Sequence, residues 1–197
     1  MASHDSRSWE HLRLKDRIRP GVRLLFVGIN PGVRSAQSAH HFAGYSNRFW
    51  KLLFDAGLVP EPITYESDWR LPEFGYGITN LIPRPSPGID TLSPAEYVEG
   101  WTALDRKIRR YRPEVVALVG VTLWRAILPL LDLDDGERAR LKRAPALGPQ
   151  PVTVHGARLH VLPNPSGRNA NFSYAEMVEA FRGLRAPRSA RMVNGKW

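Results

Sequence analysis

The chain has 197 residues, of which 43% are hydrophobic and 24% are charged, enough apolar residues for one domain with a buried core and too many for a disordered chain. Its 28 Lys and Arg residues against 19 Asp and Glu residues give a formal net charge of +9, so the expected partner is a polyanion, with nucleic acid ahead of an anionic membrane surface. The lack of cysteine excludes disulfides, thiolate zinc sites, iron–sulfur clusters and cysteine nucleophiles.

The sequence predicts neither a membrane span nor a signal peptide. No stretch reaches the roughly 18 apolar residues of a transmembrane helix, and residues 1–20 lack an apolar centre. We therefore expect a soluble cytoplasmic protein, associated with the nucleoid if it is bacterial. Three parts are predicted: an N-terminal extension (1–20), one folded domain (21–185) and a basic C-terminal tail (186–197).

The first half of the chain predicts two strands and one helix. Arg23–Ile29 is an unbroken apolar run, typical of a strand buried on both faces of a parallel sheet. Ser46–Gly57 is predicted to be helical because its apolar residues fall on one face. Gly77–Ile82 is a second, weaker strand candidate, and the prolines of residues 83–87 make the next segment a stiff loop.

The second half continues the alternation of strands and helices. A capping box at Ser93–Glu96 begins a helix that should run to Tyr111, and residues 132–150 are predicted to be irregular. The other expected elements are strand 114–120, helix 122–131, strands 152–155 and 158–162, and helix 174–185. This order predicts an α/β fold: a single three-layer domain with a mostly parallel central β-sheet flanked by helices.

Three loops leave the carboxyl ends of predicted strands, where sites form in open α/β sheets. They span residues 28–42, 80–93 and 163–170 and are rich in Gly, Pro, Asn and Ser. None contains the glycine pattern of a dinucleotide fold or a phosphate loop. The histidines are poorly spaced for a metal ion, so we predict neither a cofactor nor a metal.

Four sequence blocks follow one another in the order and spacing of a known family. They are GINPG at 28–32, FA at 42–43 with NRFWK at 47–51, GITNL at 77–81 with RP at 84–85, and LPNPSG at 162–167. The chain thereby resembles the mismatch-specific uracil-DNA glycosylase and thymine-DNA glycosylase family over residues 23–184. The resemblance implies a uracil-DNA glycosylase-like fold, with residues 21–185 as the catalytic domain.

The family's chemistry is hydrolysis of an N-glycosidic bond. The resemblance implies an enzyme that flips uracil or a related damaged pyrimidine out of DNA, notably from G·U mismatches, and leaves an abasic site. Asn30 matches the residue that positions the attacking water, and backbone N–H groups near Ile29 and Phe42 would hold the departing uracil anion. Phe42 would stack on the base and Asn80 would contact its edge. The structural alternatives are a turn asparagine, a core phenylalanine and a loop-ordering asparagine.

The last block implies a loop that enters the DNA and faces the widowed guanine. Asn164, Ser166 and Gly167 match the family's motif, but the bacterial pattern then has a Leu wedge followed two residues later by Arg, whereas this chain has Arg168, Asn169 and an alanine. Arg168 is therefore expected to be a cationic wedge. A phosphate-binding surface arginine is the alternative, and the departure leaves open how strictly guanine is read.

Asp90 is the second departure from the family pattern. It is the only acidic residue between Glu73 and Glu96, and it lies in one of the three site loops. If its carboxylate faces the flipped nucleotide, it would act as a general base or stabilise the cationic sugar, which an amide does poorly. A solvated loop aspartate, or one that prepares the helix cap at Ser93, is the alternative.

The predicted partner is double-stranded DNA containing uracil or a damaged pyrimidine, bound by a monomer with an affinity that falls steeply with salt. The basic residues that would neutralise phosphates are Arg138, Arg140, Lys142, Arg143, Arg185, Arg188, Arg191 and Lys196. Three other functions stay open. They are a catalytically silent DNA-damage-binding module, a nucleoside hydrolase, and a related single-strand-selective uracil or hypoxanthine glycosylase. The three loops lack the carboxylate cluster that a nucleoside hydrolase would need.

Overall fold

The computed structural model describes residues 8–185, so the predicted tail at 186–197 lies outside the described residues. The helices and strands are β1 Leu24–Gly28, α1 Val33–Ser38, α2 Phe49–Asp55, β2 Tyr76–Asn80, α3 Pro94–Tyr111, β3 Val115–Val119, α4 Val121–Ile127, α5 Asp135–Arg143, β4 Gly148–Val154, β5 Ala157–Leu162 and α6 Tyr174–Arg182. Short 3₁₀ helices occupy Tyr65–Phe74, Ile89–Thr91 and Leu128–Leu130.

The five strands form one sheet in the order β2-β1-β3-β5-β4. The first four are parallel to one another, with Phe26 of β1 opposite Ile78 of β2 and Ala117 of β3. β4 joins the edge antiparallel to β5 through a short hairpin. Because β1, β2 and β5 all point the same way, the loops that follow them meet at one edge of the sheet.

The core lies on both faces of the sheet, as the unbroken apolar runs predict. Leu24 and Phe26 of β1 pack on one side with α2 and α6, whereas Leu25 and Val27 pack on the other side with α3 and α4. Each such side chain stabilises the fold by roughly 1.5–3 kcal/mol when fully buried. The predicted three-layer α/β domain with a mostly parallel sheet is confirmed.

The prediction that residues 132–150 are irregular is wrong. Asp134 and Glu137 form a reciprocal capping box that begins α5, and the following residues are good helix formers. β4 begins at Gly148, before the predicted 152–155 strand. The short helix α1 was not predicted either, since its six residues carry no apolar periodicity.

Residues before position 21 contact the sheet. Arg17 pairs antiparallel with Ile78, each backbone N–H donating to the other's carbonyl at 3.0 Å. Lys107 forms an ion pair with Asp16 at 2.7 Å, and the Thr79 hydroxyl donates to the same carboxylate. The segment thus covers the outer edge of β2, while the division of the chain at residue 20 stays a prediction.

Candidate active site

A cavity of about 210 Å³ opens at the carboxyl ends of the parallel strands. We call it the Asn30 cavity. Five of the residues singled out from the sequence line it: Ile29, Asn30, Phe42, Asn80 and Asn164. The structure therefore brings together side chains from the loops after β1, β2 and β5.

The Asn30 side chain is fixed by its amide nitrogen. Nδ2 lies 3.1 Å from the Pro31 carbonyl, 3.2 Å from the Arg84 carbonyl and 2.8 Å from the Ser86 hydroxyl. Carbonyl oxygens only accept, so these contacts identify the donor nitrogen and place Oδ1 on the other side of the amide. Within residues 8–185 Oδ1 accepts no hydrogen bond, and it is therefore available to a water molecule.

The loop that holds Asn30 is anchored to α3. Arg84, whose carbonyl accepts from Asn30, donates from Nε and Nη2 to the two carboxylate oxygens of Glu96 at 2.7 and 3.0 Å. These hydrogen bonds, with those of the Ser93 cap, lower the pKa of Glu96 to about 2. A bidentate pair of this kind fixes orientation as well as distance, so the β2–α3 loop presents the Arg84 carbonyl at a set position.

Phe42 occupies a strained backbone position beside Asn30. Its φ is +51°, a value that bulky residues rarely adopt and that clusters at functional sites. Its ring stacks on Phe49 with the centroids 4.2 Å apart and the planes 19° apart. The Phe42 N–H finds no acceptor among residues 8–185. The strained residue thus brings its aromatic ring to the cavity and carries an N–H donor that is unpaired within the described residues.

Asp68 holds the segment before Phe42. This carboxylate is fully buried and lies 3.0 Å from Arg17 Nε, 3.2 Å from His40 Nδ1 and 3.0 Å from the His41 backbone nitrogen. Buried charges persist only when they are paired and hydrogen-bonded. Asp68 therefore binds the segment to a part of the chain that is distant in sequence.

Three further side chains bind residues 40–43, the segment that brings Phe42 to the cavity and that we call the pocket wall. The Ser35 hydroxyl accepts from the Ala43 N–H at 3.1 Å, and Arg34 Nε donates to the Ala43 carbonyl at 2.6 Å. Trp50 Nε1 donates to the His41 carbonyl at 3.0 Å. The backbone around the strained residue is thus bonded on both sides.

His41 is neutral in the pocket wall. It is buried, and desolvation lowers its pKa to about 4, against the opposing effects of the Lys15 carbonyl and of Asp68. The Nε2 atom lies 3.0 Å from the Lys15 carbonyl oxygen. An acceptor at that distance requires Nε2 to carry the proton.

Asn80 of β2 is paired with Gly28 of β1 at the end of the sheet and lines the same cavity as Asn30. A Cβ at Gly28 would lie 2.6 Å from Asn80 Oδ1 and 3.4 Å from the Phe42 ring. Glycine at position 28 is thus required by the close approach of both side chains. The Asn80 amide makes no hydrogen bond within the described chain, so its donor and acceptor remain available to a ligand.

The remaining predicted site residues lie mainly in a second cavity of about 400 Å³, the Arg168 cavity, lined by Asp90, Asn164, Ser166, Arg168 and Asn169. Asp90 is exposed and does not line the Asn30 cavity. Ile89 and Asn164 line both cavities, so the two spaces adjoin. The structure places Asp90 beside the predicted wedge and next to, rather than inside, the space around Asn30.

The loop of residues 163–170, which we call the wedge loop, is organised by its own side chains. Asn164 Oδ1 accepts from the Ser166 N–H at 3.0 Å, and Asn169 Nδ2 donates back to the Asn164 carbonyl at 2.8 Å. Gly167 packs against residue 46: a Cβ there would lie 2.8 Å from the Ser46 carbonyl oxygen. A side chain at position 167 would displace the loop.

Arg168 projects from this loop into solvent. It is exposed, and its guanidinium has no ion pair or hydrogen bond within residues 8–185. Arg138, by contrast, donates to the Leu131 and Leu133 carbonyls and pairs with Asp135. Of these two arginines, Arg168 is therefore available to an anionic ligand, and Arg138 is engaged in holding α5.

One protein family accounts for this arrangement. The sequence model described as the uracil DNA glycosylase superfamily matches residues 16–185, which include every predicted site residue. The chain belongs to the uracil DNA glycosylase superfamily. Membership indicates a DNA glycosylase, a hydrolase that acts on DNA in base excision repair.

Two negative findings concern residues 8–185 only. None of the helices there combines the length and apolar character needed to cross a membrane. In the same residues, no group of three or more His, Asp or Glu side chains is arranged to hold a metal ion.

Sequence reasoning missed the residues that support the candidate site around Asn30. Ser86, which accepts from Asn30 Nδ2, was noted only as part of a proline-rich loop. Asp68 and Ser35 stand in polar stretches without any motif, and their functions depend on contacts with residues far along the chain. The two adjacent histidines, His40 and His41, were the one available signal, and they point to Asp68 rather than to a metal.

Proposed function

We propose that this member of the superfamily is a monofunctional, mismatch-specific uracil-DNA glycosylase. It would act as a monomer on double-stranded DNA, flip out uracil and related damaged pyrimidines, notably from G·U mismatches, and leave an abasic site. One observation carries the proposal: Asn30, with its amide nitrogen fixed and Oδ1 available, shares one cavity with the Phe42 ring and the Asn80 amide.

Asn30 orients the water in this mechanism. Its Oδ1 accepts a hydrogen bond from water but cannot take a proton as a carboxylate does. The bond to the base must therefore break largely before water attacks, with positive charge developing on the sugar and negative charge on the uracil. The unpaired N–H of Phe42 is a donor suited to the departing uracil anion.

Phe42 and Asn80 recognise the flipped base. The ring of Phe42, supported from behind by Phe49, offers a fixed surface for stacking on a pyrimidine. Asn80 offers one donor group and one acceptor to the pyrimidine edge, matching the alternating O4 and N3–H groups of uracil. Both side chains are close to Gly28, which leaves the space between them narrow.

Arg168 and Asp90 act from the adjoining cavity. The exposed guanidinium of Arg168 is suited to fill the space that the flipped nucleotide leaves in the duplex. The rest of the wedge loop would position the Arg168 guanidinium and contact the opposite guanine, through Asn164, Ser166, Gly167 and Asn169. Asp90 would stabilise the positive charge of the sugar from the Ile89 side, where the two cavities adjoin.

Single-turnover cleavage tests this proposal. Labelled duplexes with a G·U or an A·U pair, and single-stranded DNA containing uracil, are incubated with excess enzyme and resolved after alkali. We expect abasic product, formed fastest from G·U. Duplex binding without product from any substrate would instead indicate a catalytically silent damage-binding module, and cleavage of free deoxyuridine would indicate a nucleoside hydrolase.

A further inference from the structure

A third cavity adjoins the Asn30 cavity and is larger and more apolar than it. It measures about 640 Å³ and is lined mainly by aromatic and aliphatic side chains, among them Tyr45, Trp50, Phe54, Ile63 and Tyr65. We call it the aromatic groove. Arg34, Phe42, Gly44 and Asn47 line both spaces, so a ligand chain that leaves the Asn30 cavity on this side enters the groove directly.

Tyr45 is the feature of the groove that its packing does not explain. Its side chain is 91% exposed, yet the guanidinium carbon of Arg34 lies 3.5 Å from the centre of its ring. Arg34 is itself fixed, because it donates to the Ala43 carbonyl at 2.6 Å and to the Tyr65 hydroxyl at 3.3 Å. The ring of Tyr45 is thus supported in position in the aromatic groove, next to Gly44, which lines both spaces, although it contributes little to the core.

An aromatic ring supported by arginine is a general means of binding a nucleic acid base. Every base has a face that stacks on aromatic side chains, and arginine adds a cation for the neighbouring phosphate. Lys51 also lines the groove, where it forms an ion pair with Asp55 of the same lining, so the positive charge beside the Tyr45 ring is that of Arg34. An extended surface of this composition fits a nucleotide better than an uncharged apolar ligand.

We propose that the aromatic groove binds the base next to the flipped nucleotide on the same DNA strand, with Tyr45 as its stacking surface. This inference rests on the proposed function, since the occupant is a neighbour of the nucleotide in the Asn30 cavity. The enzyme then recognises two consecutive nucleotides, and it does so on single-stranded DNA as well as on duplex. Base stacking on one aromatic residue corresponds to about a tenfold change in affinity.

The test compares single-stranded oligonucleotides in which the base on the 5′ side or the 3′ side of deoxyuridine is replaced by a tetrahydrofuran spacer. Binding is measured by fluorescence anisotropy and excision by single turnover. We expect the wild-type protein to lose about tenfold in affinity when the base is missing on one of the two sides. Tyr45→Ala should lose a similar factor on the complete oligonucleotide and nothing more when the spacer is introduced.

Two variants control this experiment. Tyr45→Phe retains the ring and should retain the response to the spacer, whereas Trp69→Ala removes a half-exposed aromatic residue that lines neither cavity and should behave as wild type. A wild-type protein indifferent to both spacers, or a Tyr45→Ala protein that responds as wild type does, would overturn the proposal. Loss of excision on all oligonucleotides with the binding pattern intact would refute the glycosylase function alone.

Discussion

The pocket wall and the wedge loop are two ways of building a site at the same edge of one sheet. In the pocket wall, the polar groups of the backbone are bonded to side chains 8 to 27 positions away, such as Ser35, Trp50 and Asp68. In the wedge loop, most of the hydrogen bonds join residues two to five positions apart, from Asn164 to Asn169.

This difference fits the roles that we propose for the two regions. A base and a water molecule must be held to within fractions of an ångström for the bond to break, which favours a rigid wall fixed from several directions. A loop that enters DNA must keep its own shape while exchanging solvent for the duplex, and short-range bonds suffice for that. We therefore expect substitutions around Asn30 to affect chemistry and substitutions in the wedge loop to affect binding.

The largest expected effect comes from comparing one variant in each of the two cavities. Asn30→Ala removes the amide oxygen that orients water and should lower the single-turnover rate on a G·U duplex by about a thousandfold. Asp90→Ala, which acts in the Arg168 cavity, should lower it by about tenfold. Neither change should weaken binding to a uracil-free duplex, which fluorescence anisotropy measures.

The same pair of variants can reverse this assignment. An undiminished rate for Asn30→Ala together with an inactive Asp90→Ala would assign the catalytic group to the carboxylate. An Asp90→Ala rate equal to that of wild type would instead identify Asp90 as a solvated loop residue.

The second prediction concerns pH and, of the two regions compared, only the pocket wall. Burial lowers the pKa of His41 to about 4 in the folded protein, below its ordinary value of 6.5. The unfolded chain therefore binds a proton that the folded chain excludes between these values. The free energy of unfolding should be fully retained above pH 6.5 and fall as the pH drops towards 4, by on the order of 3 kcal/mol.

Urea denaturation at a series of pH values measures this slope. His41→Gln lacks the titrating ring and should show a flatter profile between pH 6.5 and 4, although it is less stable at neutral pH. Parallel profiles for the two proteins would contradict the neutral, buried histidine. The wedge loop should contribute nothing to the slope, because Arg168 is its only ionisable side chain and stays charged throughout.

The contrast between the two regions also explains how much the sequence could predict. The strands β1 and β3 could be predicted because each is a continuous apolar run. Asn30, Phe42 and Asn80 could be predicted because they lie at strand ends or in a family motif. The site's supports were not visible. Asp68 lies 26 residues beyond Phe42 in the sequence, and only the folded chain shows that its carboxylate fixes the segment before that ring.

Asp90 shows a different limit of sequence-based prediction. Its position in a site loop was readable, but the cavity that its side chain lines depends on the 3₁₀ helix Ile89–Thr91 and on how the wedge loop packs beside it. A loop with three prolines has no periodicity from which the direction of the Asp90 side chain could be predicted. Sequence reasoning could place the carboxylate near the site and could not assign it to one of two adjoining cavities.

The smallest expected effect concerns the wedge itself. Arg168→Ala should lower excision from a G·U duplex by about tenfold and leave excision from single-stranded DNA nearly unchanged, since only a duplex has a stacked position to fill. Single-turnover rates on the two substrates measure this difference. Arg168→Leu, which restores an apolar wedge without charge, should recover most of the duplex activity.

A phosphate contact would give a different pattern from a wedge. The guanidinium would then contribute about one unit to the slope of log affinity against log salt concentration, and both Arg168→Ala and Arg168→Leu would lose it on duplex and single strand alike. Recovery by leucine together with an unchanged salt slope would therefore assign Arg168 to the base stack. Equal losses in the two variants, with a shallower slope, would instead assign Arg168 to a phosphate contact.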